Sequence, residues 1–292
     1  MQSRACHIKS LFAGVLLSAL ASLSVAGAAD CLDVHGALQQ GGLIWGRVPP
    51  GASVTLGDET LDVLEGGTFV AGLGRDAPAT VELVVQGNSL CRTILSVAAR
   101  DYDIQRVEGV PQRTVTPSPD HQARIARESK RVAAAKDRKL KRPDLLLPAL
   151  DRFIWPVTGR ISGVYGSQRI YNGVPRSPHY GVDVAVPTGT VVRAPAAGVV
   201  TLAETDLFYS GGTIILDHGY QLSSSFLHLS KVRVEVGDEI KPGDVIGEVG
   251  ATGRATGPHL DWRMSWRSHR IDPQLLVPPM PAAKTVPDPE KG

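Results

Sequence analysis

The 292-residue sequence predicts a mainly β protein: a small N-terminal β-sandwich, a basic helical linker, and a larger antiparallel β domain towards the C-terminus. Three observations carry this. Apolar runs are short, and turn signals rich in Gly and Pro separate them. Gly (31) and Pro (21) are abundant while aromatic residues make up 5%, which favours short strands and turns over long helices. The one long stretch free of such breakers is rich in Ala, Arg and Lys and reads as a helix. A hydrophobic content of 42% is ample for a packed core.

Residues 1–28 read as a secretion signal. Arg4 and Lys9 precede an apolar run from Leu11 to Val25, and Ala26-Gly27-Ala28 supplies a small-x-small cleavage site. The run is short for a membrane span, so an uncleaved anchor is the second reading and no span remains after cleavage. Asp30 directly before Cys31 argues against a lipoprotein. The signal carries two positive charges and no negative ones, so a chain of formal net charge +2 matures to a neutral one. No general pull on nucleic acid is expected. Cys6 leaves with the signal, and Cys31 and Cys91 predict one disulfide in the first domain.

Residues 30–100 form the first domain. Leu43 to Val48, Ser53 to Leu56, Thr60 to Leu64, Thr68 to Val70 and Val81 to Val85 are its strand candidates. Pro49-Pro50-Gly51, Gly57-Asp58 and Glu65-Gly66-Gly67 supply turns, a spacing that suits a compact sandwich. It holds no catalytic constellation, and His35 reads as a surface residue.

Residues 101–148 are a linker. Pro111, Pro117 and Pro119 break regular structure, and Asp120 to Arg142 reads as a helix ended by Pro143. That helix carries nine basic and three acidic residues over a thin apolar stripe of Ala123, Ile125, Ala126 and Val132. A solvated connector is the favoured reading, and contact with an anionic wall or membrane surface the other. Residues 149–278 form the second domain, with residues 279–292 a flexible tail. Its strand candidates include Gly198 to Leu202, Thr213 to Asp217, Gln221 to Leu227 and Val245 to Val249.

The chemistry concentrates here. From His259 to Trp266, polar His259, Asp261, Arg263 and Ser265 alternate with apolar Leu260, Trp262, Met264 and Trp266. That period of two is a strand with one core face, and it sets His259 and Asp261 side by side on the other. His179 and Asp183 stand four apart among Pro178, Gly181 and Pro187, which favours a loop entering a strand over a helix. His228 ends a further strand. Imidazole and carboxylate donors at these spacings suit zinc. Taken singly, each residue has an ordinary explanation. His218 before Gly219 reads as a turn residue and His269 as exposed. Arg263 reads as a cross-strand surface partner, with a substrate carboxylate as its functional alternative.

Several ordered motifs then point to a family. Phe153-Ile154-Trp155-Pro156-Val157-Thr158-Gly159, Ser177-Pro178-His179-Tyr180-Gly181-Val182-Asp183, Ala194-Pro195-Ala196-Ala197-Gly198, His228-Leu229-Ser230 and Gly257-Pro258-His259-Leu260 follow one another over roughly residues 150–276. This region resembles the lysostaphin/LytM-type zinc peptidases, which cut peptides of bacterial peptidoglycan. The resemblance implies His179 and Asp183 as two Zn2+ ligands, and His228 and His259 as catalytic histidines. The third-ligand His of the pattern falls on Asp261. An aspartate reaches as far as an imidazole Nδ1, and carboxylate oxygen is a zinc donor at roughly 2.0–2.2 Å. Two carboxylates would, however, neutralise the ion and weaken it as a Lewis acid.

The resemblance therefore implies an exported endopeptidase acting on peptidoglycan peptides in the periplasm, with a regulatory envelope protein as a further partner. The alternative is a catalytically impaired domain that binds peptidoglycan or activates other wall hydrolases. A carrier module is the other rival, since Val234 to Gly247 resembles a biotinyl or lipoyl hairpin. Lys241 before Pro242 lacks the context of a modified lysine.

Overall fold

The structure is a computed structural model that describes residues 32–109 and 118–281. The secretion signal, Cys31, Pro111, Pro117 and most of the tail lie outside the described residues. Mainly β architecture is what the chain adopts. No described helix is long and apolar enough to cross a membrane.

The first domain pairs two antiparallel sheets. One holds Val34–Gly36, Leu43–Arg47 and Thr68–Gly72, and the other holds Glu59–Leu61, Ser53–Leu56, Thr80–Gln86 and Leu90–Ser96. Leu43, Ile44, Val54, Phe69 and Leu83 are fully buried in it. The Leu90–Ser96 strand has no counterpart among the expected strands. It is a sheet edge whose Leu90 and Ile94 face solvent, so it lacks a clean apolar alternation. His35 is exposed, as expected.

The linker region is more structured than its composition suggests. Ile104–Val107 pairs in parallel with Gln168–Tyr171 of the second domain. The helix spans Pro119–Lys136 with Ser118 as N-cap, and it stops at Asp137 rather than at Arg142. Pro143 does not end that helix. It opens a second one, Pro143–Asp151, at a position where a missing N–H costs nothing. The long helix is largely solvated, and one side of it docks on the second domain. Glu128 and Ala135 are buried, Arg131 pairs with Glu204, and Arg124 pairs with Glu128 and Asp206. Arg124 and Arg131 thus tie one side of the helix to Asp206 and Glu204 of the neighbouring sheet.

The second domain is a ten-stranded sheet. Its main path runs Glu239–Ile240, Gly198–Leu207, Gly211–Asp217, Leu222–Val232, Leu260–Trp266, Gly181–Ala185 and Arg160–Gly163. Leu260, Trp262, Met264 and Trp266 are each at most 1% exposed, which places that face in the core, while Asp261 and Ser265 on the other face are buried as well. Most buried apolar residues of both domains form one contiguous cluster, and Leu202, Leu207 and Ile215 form a smaller one with Ala135 of the helix. Arg267 locks the junction by donating to Glu59, Asp62 and the Thr60 carbonyl.

Two histidines outside the expected site are more buried than their sequence context suggests. His218 lies in the turn between Gly211–Asp217 and Leu222–Val232, as read, but it is fully buried. Its Nδ1 lies 2.7 Å from the Ala197 carbonyl and its Nε2 2.8 Å from Ser224 Oγ, with the Phe153 ring edge-on at 5.3 Å. His269 is half-buried at the domain junction, 3.0 Å from Glu59 and stacked on Trp266.

Candidate metal centre

The cluster is assembled by strand register. Gly181–Ala185 pairs antiparallel with Leu260–Trp266, and Asp183 falls opposite Asp261. Directly opposed residues hold their Cβ atoms about 5 Å apart, so two carboxylates remote in sequence share one patch. His179 precedes the first strand. Its N–H donates to the Ser167 carbonyl and its carbonyl accepts from Gly166, which fixes the loop that delivers the ring. Two glycines make room. A Cβ on Gly163 would lie 2.3 Å from Asp183 Oδ2, and one on Gly181 would lie 2.7 Å from Asp261 Oδ1.

His179, Asp183 and Asp261 each offer one donor atom, and all three lie within 4.8 Å of one another. His179 Nε2 is 2.9 Å from Asp183 Oδ1 and 3.7 Å from Asp261 Oδ2. Donors around a tetrahedral zinc at 2.0–2.1 Å stand about 3.4 Å apart, and these two separations bracket that value. His179 Nδ1 is buried without a hydrogen-bond partner. The ring is thus held by what its Nε2 faces. The donor set fits zinc in type, number and spacing.

The electrostatics are those of a crowded acidic site. Burial pushes His179 down, but the hydrogen bonds and charges of Asp183 and Asp261 outweigh it and raise it to about 10. Burial raises Asp261, yet the Arg263 guanidinium and His179 hold its carboxyl well below the usual carboxylate range. The expectation of Arg263 as a cross-strand surface partner is corrected here. Its Nε lies 3.0 Å from both Asp261 oxygens and its Nη2 lies 2.6 Å from Oδ2, two residues along the same strand.

The two further histidines flank this group. His259 sits just before its strand, bridged to Gly250, with Nε2 3.9 Å from Asp183 Oδ1. His228 lies inside the long Leu222–Val232 strand rather than at its end. Gly212 pairs with Leu229 and Ile214 with Phe226, so Leu227 and His228 together oppose the single Thr213. His228 adopts φ of 64°, a left-handed backbone that is uncommon outside glycine. Such a bulge re-aims a side chain next to a site, and no periodicity in the sequence marks it. Each ring is tethered through Nδ1, His228 to the Thr252 carbonyl and His259 to the Gly257 carbonyl, both at 2.8 Å. A carbonyl only accepts, so the Nδ1 atoms carry the protons and the Nε2 atoms keep their lone pairs. All five residues singled out from the sequence therefore meet in one place. Arg263 is the member of the cluster whose role there the sequence did not reveal, although its i, i+2 spacing from Asp261 on a strand was the available signal.

Residues 177–273 match Peptidase family M23. A crystal structure of a putative peptidase M23 from Pseudomonas aeruginosa superposes with a TM-score of 0.61 at 31% identity, covering 82% of this chain and 94% of that one. The peptidoglycan DD-endopeptidase ShyA of Vibrio cholerae is 34% identical over 151 residues, which is 51% of this chain and 34% of ShyA. The DD-carboxypeptidase/endopeptidase Mpg of Neisseria meningitidis is 37% identical over 103 residues, 35% of this chain and 24% of Mpg. The chain belongs to peptidase family M23. It aligns with only about a third of ShyA and a quarter of Mpg.

Proposed function

We propose that the protein is an exported zinc endopeptidase that hydrolyses peptide bonds in peptidoglycan cross-links or stems, in the periplasm. The observation that carries this reading is the pairing of a zinc-type donor cluster with two tethered imidazoles whose Nε2 atoms are free to exchange protons. The peptidoglycan substrate is supported by the names of ShyA and Mpg.

His179, Asp183 and Asp261 hold the ion. Zinc supplies Lewis acidity, polarising the scissile carbonyl and acidifying water. Burial depresses His228, partly offset by the Thr252 carbonyl, so its imidazole is neutral near pH 7 and accepts a proton at Nε2. His259 Nε2, once it has itself taken up a proton, donates to the oxyanion or the leaving amine. The roles of the two rings interchange without altering the geometry.

One observation favours a second reading, an impaired domain that binds wall peptides or activates other hydrolases: the Asp261 carboxylate is already engaged by Arg263. Metal analysis of the purified protein, with digestion of isolated sacculi by wild type and His228→Ala, separates the two. Soluble muropeptides from wild type alone support the peptidase. Zinc-loaded protein that binds sacculi and releases nothing supports the second reading.

A further inference from the structure

Two carboxylates and one neutral imidazole bring two negative charges to a divalent ion, which cancels its charge and its capacity to polarise a substrate. Arg263 changes that sum. Its guanidinium grips the Asp261 carboxylate through Nε and Nη2 at 2.6–3.0 Å, in the planar two-point geometry that Arg alone among the cationic side chains offers. Asp261 is 3% exposed, so this contact is shielded from solvent. The oxygen Oδ2 still faces His179 Nε2 at 3.7 Å and each carboxylate oxygen has a second lone pair, so gripping does not remove Asp261 from the donor set.

The fold is shaped for this contact. Gly181 is the direct cross-strand partner of Arg263. A Cβ there would stand 2.6 Å from Arg263 Cγ and 2.7 Å from Asp261 Oδ1, so the missing side chain is the floor over which the arginine stem folds back. Arg270 adds positive potential beside Arg263.

Resting on the zinc reading above, we propose that Arg263 is a charge-compensating and positioning residue for the metal centre. It cancels one of the two carboxylate charges, leaves the bound ion a net positive charge, and holds Asp261 in its ligand orientation when no ion is present. Arg263 touches neither the ion nor the reacting bond in this role.

The sign of its effect on metal affinity separates compensation from simple support. A cation beside the site opposes zinc binding, so its removal tightens binding, whereas loss of a structural prop loosens it. The experiment measures zinc affinity of the full mature chain by competition with a chromogenic chelator, together with thermal melting of the metal-free protein. Arg263→Gln should bind zinc about tenfold more tightly than wild type while its metal-free form melts at lower temperature, because a buried carboxylate loses its partner. Arg263→Lys keeps the charge and should stay within about threefold of wild type in affinity. It also provides a folded comparison if the Gln variant is too unstable without metal. Zinc affinity in Arg263→Gln that is equal to or weaker than wild type overturns the proposal while leaving the zinc centre intact. Failure of the wild-type protein itself to take up zinc overturns the zinc reading first, and this one with it.

Discussion

The imidazoles of His228 and His259 face each other at 4.8 Å between centroids, tilted by 48°, each tethered at Nδ1 by a backbone carbonyl. A tether of this kind fixes both tautomer and ring plane, so neither ring has to reorganise before it moves a proton. His228→Ala and His259→Ala should each lower hydrolysis of sacculi by about 10²–10⁴-fold, the range of a lost general acid or base. Zinc content should stay at the wild-type level, because neither residue belongs to the donor trio. Loss of zinc along with activity in either variant would move that histidine into the ligand set.

Asp217 and His218 are adjacent buried groups with opposed titrations. Burial lowers His218 to about 4, against a rise from the Ala197 carbonyl, while burial raises Asp217 to about 7 against the Gly219 N–H and Arg138. The folded pKa of His218 lies below its ordinary 6.5, so its contribution to stability is present above that value and is lost as pH falls towards 4. Asp217 runs the other way. Its folded pKa lies above its ordinary 3.8, so stability is present below that and is lost as pH rises through 7. Each swing is worth roughly 3–4 kcal/mol, and between pH 4 and 6.5 they cancel. Asp217→Asn keeps an oxygen for the Gly219 N–H and removes one swing. Thermal melts should show this variant more stable than wild type at pH 8 and losing stability steadily from pH 6.5 to 4. A wild-type-like pH profile would refute the coupling.

The contrast between legible and hidden features has physical causes. The bounds of Ser53–Leu56 are legible because turn residues flank a short apolar alternation, and the Leu260–Trp266 strand is legible because its core face is fully apolar. Ile104–Val107 pairs with a strand some sixty residues away, and a parallel partner at that distance leaves no local pattern. The turn at His218 is legible because its neighbours Asp217 and Gly219 are turn formers, whereas its burial, against Phe153 from another element, is not. The site residues were found through ordered motifs. What brings Asp183 to Asp261 is cross-strand register, which spacing along one chain does not encode.

Glu128 ties the long basic helix to the loop beside the site. It accepts from the Phe208 N–H at 2.7 Å and from Arg124 Nε at 2.6 Å, and two residues further on the Ser210 carbonyl accepts from the N–H of His228. Glu128→Ala leaves a partly buried N–H without this partner, a loss of about 1 kcal/mol. Hydrogen exchange at the Phe208 amide should accelerate more than in the sheet core, and peptidase activity should fall while zinc content holds. Unchanged exchange at Phe208 would mean that the helix is not anchored through this residue.

Gly181 offers the sharpest structural test of the centre. It lies opposite Arg263 in the register, and an added Cβ would meet Arg263 Cγ and the Trp262 carbonyl at 2.6 Å and Asp261 Oδ1 at 2.7 Å. The carbonyl belongs to a strand hydrogen-bonded on both sides and cannot yield, so strain passes into the Asp261–Arg263 pair. Overpacking of this kind costs about 1–3 kcal/mol. Gly181→Ala should therefore lower the melting temperature, and its zinc affinity should drop by more than the melting shift of the metal-free protein implies, because the displaced group is itself a donor. By contrast, Gly189→Ala, at a glycine with φ of 88° and no atom within 4 Å of its added Cβ, should destabilise through backbone strain and leave zinc affinity unchanged. If both variants lost zinc in proportion to stability alone, the close approach at Gly181 would have no special bearing on the metal centre.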